Sequence, residues 1–215
     1  MTRDDYIAAA AAYYEGKLAL FGTTPGGVDW NSEASQRLRF DQLFRAVSPA
    51  WPSSIASVND YGCGYGALSN YLENAGFSGE YHGYDASSKM IEAAERLHGE
   101  TRQRHFTSDR GELGPADLTV ASGIFNVKLH ASDDSWLEYT LQTIADLAAV
   151  SRRAFVFNVL TTYSDVERRR PDLFYADPRR LFDYCKTLSP FVALLHDYPL
   201  YEFTIGVFLG GPNQS

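Results

Sequence analysis

Cysteine is scarce in this sequence: Cys63 and Cys185 are the two present among 215 residues. That excludes a disulfide framework and leaves too few thiols for a structural zinc site. Both are expected to stay reduced in a cytoplasmic protein. No apolar run approaches the roughly 20 residues needed to cross a bilayer. The alanine stretch Ala8–Ala12 follows Asp4 and Asp5 and not a basic region, so no signal peptide is expected. Basic charge is also short, with 19 Lys+Arg against 27 Asp+Glu and a net charge of −8. Such a chain has no general attraction to phosphate backbones, and nucleic acid and membrane are not expected partners. The Arg168–Arg170 run and the Arg102/Arg104 pair read as charged surface. Internal repeats and low-complexity tracts are absent. What is present, 45% hydrophobic and 14% aromatic residues, suits a single domain over residues 1–215.

Residues 4–21 carry Ile7, Ala10, Ala11, Tyr14, Leu18 and Phe21 at helical spacing, and Gly22 and the turn at 24–27 end that helix. A second helix opens at Ser32, with Leu38, Leu43, Phe44 and Val47 as its expected buried stripe, and Pro49 and Pro52 close it. Residues 1–50 thus form a helical cap without a strand, and 51–215 an α/β core. Strands are expected at 55–61, 80–85, 102–109, 116–126 and 153–162, alternating with helices. Two final strands, 191–197 and 201–210, lie too close for a crossover helix and should pair antiparallel. The expected fold class is an α/β, Rossmann-like, mostly parallel sheet with an antiparallel C-terminal hairpin.

Between the first strand and its helix stands Asp60-Tyr61-Gly62-Cys63-Gly64-Tyr65-Gly66. Glycines there let the backbone approach a ligand closely and turn sharply into the helix. The second strand ends in Asp85, about 20 positions on, where a carboxylate accepts hydrogen bonds from ribose hydroxyls. Together these point to an adenosine-containing cofactor. Gly62, Gly64 and Ala67 also satisfy the dinucleotide fingerprint, so a small NAD(P)-dependent oxidoreductase is one alternative. Against it, Asp60 would repel a pyrophosphate and attract an ammonium group. A dinucleotide domain also does not call for the terminal hairpin, and the chain is short for an added substrate domain.

VNDYGCGYGALSNYL, HGYDASSKMIEAA and ADLTVASGIFN resemble the class I S-adenosylmethionine-dependent methyltransferases, over residues 55–210. The resemblance implies a seven-stranded sheet whose last strand inserts antiparallel, and S-adenosylmethionine as cofactor. Carried over by position, it implies that Asp60, Gly62, Cys63, Gly64 and Gly66 hold the methionine end. Asp85 and Ala86 would lie at the ribose, and Met90, Ser108 and Asp109 at the adenine. Ser122 and Gly123 would lie near the sulfonium. QRLRFDQL (36–43) resembles the segment in ubiquinone-type O-methyltransferases whose arginine binds the cofactor carboxylate, which puts Arg39 in that role; a plain surface arginine is the alternative. Two departures stand out. The acid many members carry near Ser122 is missing, and Ser151-Arg152-Arg153 replaces the usual proline-glycine turn.

Methyl transfer needs in-line alignment, exclusion of water and sometimes removal of a proton. Acceptor residues are therefore sought at the carboxyl ends of later strands and on the cap. His196, beside Asp197, is the general-base candidate, against an ordinary histidine at a strand end. Asn126 could orient an acceptor oxygen or simply terminate its strand. Tyr14, Trp30, Lys128, Tyr163 and Tyr198 complete the acceptor candidates, with Tyr13, Tyr14 and Trp30 forming an aromatic wall or mere packing. No ligand cluster has metal spacing, so a metal-independent reaction on an O or N atom of a small molecule is expected. A cofactor-binding module without catalysis is the other alternative, motivated by the missing acid and the lack of a certain base.

Overall fold

The computed structural model describes residues 2–47 and 55–210. Helix α1 (Arg3–Phe21) opens with a capping box between Thr2 and Asp5, and Gly22 receives its end. A short 3-10 helix (Pro25–Val28) follows, then α2 (Glu33–Ala46), capped by Ser32. The expected closure of α2 by Pro49 and Pro52 lies outside the described residues. The core then runs β1 (Ser57–Tyr61), α3 (Ala67–Asn74), β2 (Glu80–Tyr84), α4 (Ser88–His98), β3 (Arg104–Thr107) and β4 (Ala116–Ala121). After these come α5 (Asp133–Ala149), β5 (Ser151–Leu160), α6 (Pro178–Leu188), β6 (Phe191–Leu195) and β7 (Glu202–Phe208).

The seven strands form one sheet in the order β3-β2-β1-β4-β5-β7-β6. The first five are parallel, and β7 runs antiparallel between β5 and β6. This is the fold class expected from the strand–helix alternation and the terminal hairpin. Burial on both faces explains the continuous apolar strands. One face is covered through Phe40, Leu43, Leu68, Leu72 and Ile91, from α2, α3 and α4. The other is covered through Trp136, Ile144, Leu147 and Leu181, from α5 and α6.

Several boundaries differ from expectation. β4 stops at Ala121, five residues early, because Ser122 and Gly123 turn away, Gly123 at φ 76°. β3 keeps four residues of the expected eight, since Arg102 and Gln103 form a turn before it and Ser108 and Asp109 leave the sheet to start a 3-10 turn. The turn at 24–27 is the start of a 3-10 helix, Pro25–Val28, with Gly27 buried. The buried face of α2 includes Gln36, Arg39 and Phe40 in place of Leu38, and Phe21 of α1 is exposed. Among the described residues, no helix is long and apolar enough to cross a membrane.

Candidate active site

The pairing of β1 with β4 ends at Asp60 and Val120, and the chain beyond it is built to leave room. Gly62, Gly64 and Gly66 all take left-handed φ, a conformation other residues seldom adopt. Tyr84 carbonyl oxygen accepts from the backbone N–H of Gly62 (2.7 Å) and Cys63 (2.9 Å), tying the loop to the end of β2. Asp85, next in sequence, accepts from Gly64 N–H at 2.9 Å and Ser87 N–H at 2.9 Å. Each of its oxygens keeps a lone pair. Burial raises the Asp85 carboxyl above the usual range, and those two N–H donors oppose the shift.

A cavity of about 110 Å³ lies over this loop. Asp85, Ala86 and Met90 line one side, Gly62, Gly64, Ser122 and Gly123 another. Its roof is α1, through Ile7, Ala10, Ala11 and Tyr14. A smaller cavity of about 40 Å³ continues the same site past Val28 and Trp30 to Asp60, Cys63, Gln36 and Tyr65. Asp60 is almost completely buried, and its carboxyl is pushed up to about 7 by that burial, although Tyr81 hydroxyl donates to it at 2.7 Å. Ser122 Oγ, which borders both cavities, is buried without a hydrogen-bond partner. Buried polar atoms are normally paired, so this hydroxyl is free to bond an atom that enters either cavity.

Trp30 is the wall of the site. Its ring lies so close to Gly123 that a Cβ there would meet it at 2.4 Å. The preceding Asp29, itself left-handed, is pinned to α1 by Tyr13 hydroxyl (2.7 Å) and Lys17 (2.6 Å). Trp30 also borders a second cavity of about 230 Å³, with Tyr14, Asn126, Arg39, Arg170, Tyr175 and Glu202 in its lining. Tyr14 and Trp30 therefore border both cavities. Burial, with Asp29 and Asp85 nearby, drives the Tyr14 phenol well above its ordinary value, so it stays neutral.

Other expected residues sit elsewhere. His196 is exposed against Tyr163 and Phe203 and lines neither cavity. Its neighbour Asp197 is taken by Arg45 at 2.6 and 2.8 Å, so no His–Asp pair forms. Tyr163 is 63% exposed. Tyr198 is buried and shares a hydrogen bond with Thr204 at 2.9 Å. Lys128 turns to the start of α5, donating to Ala131 carbonyl oxygen and facing Asp133. Asp109 is exposed because its carboxylate caps the following 3-10 turn through Gly111 N–H, and Ser108 is exposed beside it. Gly66 lines none of these cavities; it starts α3 beneath His98 and Phe106. Asn126 does line the second cavity, while its oxygen accepts from Leu160 N–H at 3.2 Å.

Arg39 is the largest correction. Its Nε donates to both oxygens of Glu202 at 2.8 and 3.0 Å, its Nη2 donates to the same carboxylate, and its Nη1 donates to Ser35 carbonyl oxygen at 2.9 Å. Both partners are buried, at 7% and 1% exposure. Glu202, missed in the sequence, opens a strand that reads as plain β-core. Ile7, Tyr61, Tyr84 and Tyr139 were missed as cavity residues because apolar and aromatic side chains announce packing. Among the described residues, no group of His, Cys, Asp or Glu could hold a metal ion.

Comparison with known proteins agrees with this geometry. Residues 58–149, from β1 to the end of α5, match the family model for a methyltransferase domain. A Mycobacterium tuberculosis protein named as a methyltransferase, Rv1506c, is 50% identical over 163 residues, covering 75% of this chain and 96% of that one. The chain belongs to the class I S-adenosylmethionine-dependent methyltransferases. The fold is shared with the N-methyltransferase NodS from Bradyrhizobium japonicum, solved with S-adenosylhomocysteine, at TM-score 0.64 and 12% identity, over 94% of this chain and 99% of that one. It is also shared with the magnesium protoporphyrin IX methyltransferase of Synechocystis, solved with the same compound, at TM-score 0.55 and 14% identity, over 96% of each chain. Family membership sets aside the dinucleotide reading and makes this chain an enzyme.

Proposed function

We propose that this methyltransferase moves a methyl group from S-adenosylmethionine to an oxygen or nitrogen atom of a small molecule, without a metal ion. Two adjoining cavities carry the reading: one over the glycine loop and a second that shares Tyr14, Val28 and Trp30 with it, so that an acceptor there meets the methyl group at their common edge. The residues over the loop fit the cofactor. Asp85 has lone pairs for two ribose hydroxyls, Met90 and Tyr84 offer an apolar surface for adenine, and Asp60 offers a carboxylate to the methionine ammonium. The orphan hydroxyl of Ser122 gains a partner. Bound there, the cofactor supplies a methyl group on a positively charged sulfur.

The protein's own part is alignment and exclusion of water. Helix α1 closes the cofactor cavity from above. Asn126 and Tyr14 orient the acceptor in the second cavity, beside Trp30. No histidine lines either cavity among the described residues, so the reaction rests on orientation more than on an imidazole base. The net charge of −8 argues against a polyanionic acceptor, and a cytoplasmic location accords with reduced, buried thiols.

Calorimetry tests the reading. S-adenosylmethionine and S-adenosylhomocysteine should bind, and NADH should not. Asp85→Ala should weaken both by about tenfold or more, because each hydrogen bond to a charged group contributes roughly 1.5–3 kcal/mol. Binding of NADH alone would overturn the assignment. Mass spectrometry of small molecules incubated with enzyme and cofactor should then reveal an acceptor that has gained one methyl group.

A further inference from the structure

We propose that Gln36 and Ser122, and not Arg39, receive the carboxylate at the amino-acid end of the cofactor, while Arg39 serves to position Trp30. This rests on the cofactor reading above. The arginine at this place in ubiquinone-type relatives suggests the opposite, but here its fork is already filled by Glu202. Glu202 is itself fixed from the other side by Asn158 Nδ2 at 2.8 Å. Freeing the guanidinium would strand a carboxylate that is 1% exposed, which is strongly unfavourable. Arg39 also lines the acceptor cavity and neither of the two at the glycine loop.

Gln36 lies one helical turn earlier on α2 and does face the small cavity, with Asp60, Gly64 and Ser122. Its carboxamide is held loosely, in contacts of 3.3 Å with Tyr65 hydroxyl. Ser122 Oγ has no partner at all. The small cavity therefore offers two neutral donors for a carboxylate and one buried carboxylate, Asp60, for an ammonium. That is the complement of a zwitterionic amino-acid group.

Arg39 has a different task. Its guanidinium lies 3.8 Å from the centre of the Trp30 ring, within cation–π range. The contacts close into a ring. Gly123 N–H donates to Asn158 Oδ1 at 2.7 Å, Asn158 holds Glu202, Glu202 holds Arg39, Arg39 covers Trp30, and Trp30 rests against Gly123. Trp30 is thereby tied to the backbone beside Ser122.

The test compares S-adenosylhomocysteine with 5′-methylthioadenosine, which keeps the nucleoside thioether and lacks the amino-acid end. Calorimetric dissociation constants are measured for wild type, Gln36→Leu, Ser122→Ala, Arg39→Lys and the double variant Arg39→Met/Glu202→Met, which leaves no unpaired charge. Wild type should prefer S-adenosylhomocysteine. Gln36→Leu and Ser122→Ala should each cut that preference by about tenfold, as expected for a lost hydrogen bond to a charged group, with methylthioadenosine binding unchanged. The double variant should keep the preference but shift the Trp30 emission, obtained by subtracting the Trp30→Phe spectrum. If the arginine variants abolish the preference while Gln36→Leu and Ser122→Ala retain it, the proposal is wrong. Equal binding of both compounds by wild type would also overturn it. Binding of neither would overturn the cofactor reading itself.

Discussion

Helices α1 and α2 follow one another within the first 46 residues, and the molecule uses them in opposite ways. α2 buries Phe40, Leu43, Phe44 and Ala46 against the sheet, whereas α1 buries Tyr6 alone. Apart from Tyr6, which packs edge-on against Trp136 and Tyr139, what holds α1 is polar: Arg3 to Asp146, Glu15 to Ser87 and Lys89, Lys17 to Asp29. Its inner face, Ile7, Ala10, Ala11 and Tyr14, meets a cavity and not a core. α2 builds the domain and α1 covers the site. Ligand pockets usually enclose about 300–1,000 Å³, more than the two cavities at the loop hold together, so a shift of α1 would widen the site for a ligand. A cover fastened by rim contacts can do that without loss of the fold.

The largest expected effect separates the two helices by stability. Leu43→Ala should cost about 2–5 kcal/mol in urea unfolding, since its side chain is fully buried. Ile7→Ala should cost roughly 1 kcal/mol, because that side chain is only partly buried, while weakening S-adenosylhomocysteine binding. Equal losses of stability would make α1 a core helix and end the distinction.

The floor beneath α1 gives a pH signature. The Asp60 carboxyl is raised to about 7 by burial, so in the ligand-free protein it carries a proton below that pH. A bound ammonium favours the ionised form. Affinity for S-adenosylhomocysteine should therefore rise by about tenfold from pH 6 to 8, and Asp60→Asn should flatten the curve. Stability has the opposite sign. A raised carboxyl stabilises the fold below its unfolded value, and this contribution is lost as pH rises through about 7. Affinity that falls with pH would remove the ammonium from this place.

A smaller effect is expected at the rim. Glu15 bridges α1 to Ser87 and Lys89, just past Asp85, and these partners hold its carboxyl below the ordinary range. Partly exposed ion pairs contribute little to global stability. Glu15→Gln should leave the unfolding midpoint nearly unchanged and still speed amide exchange in α1. A large drop in midpoint would show that α1 is fastened more firmly than its contacts suggest.

The same contrast explains what could be read from the sequence. That Gly62, Gly64, Asp85, Met90 and Ser122 gather at one cavity was legible because each follows a strand end within a few residues, and strand–turn–helix order places them without long-range knowledge. The sheet and its antiparallel end followed from connection length. On the second cavity the sequence named Tyr14, Trp30 and Asn126 but not Arg170, Tyr175 or Glu202, which come from separate parts of the chain and meet them only after folding. Arg39 misled because its partner, Glu202, is distant in sequence and sits at the start of a strand that otherwise reads as apolar. His196 misled because it sits next to Asp197, yet Arg45 captures the aspartate. Asp109 has the expected residue type, but its carboxylate caps a turn.

Hydrogen exchange with and without S-adenosylhomocysteine tests the central claim, that the cavity beneath α1 is the cofactor site and α1 its cover. Amides of residues 3–31 and of the loop 62–66 should slow markedly on binding, while those of α2 from Phe40 to Ala46, protected already, should change little. Binding that leaves α1 exchange untouched, or that slows α2 as much as α1, would contradict the account.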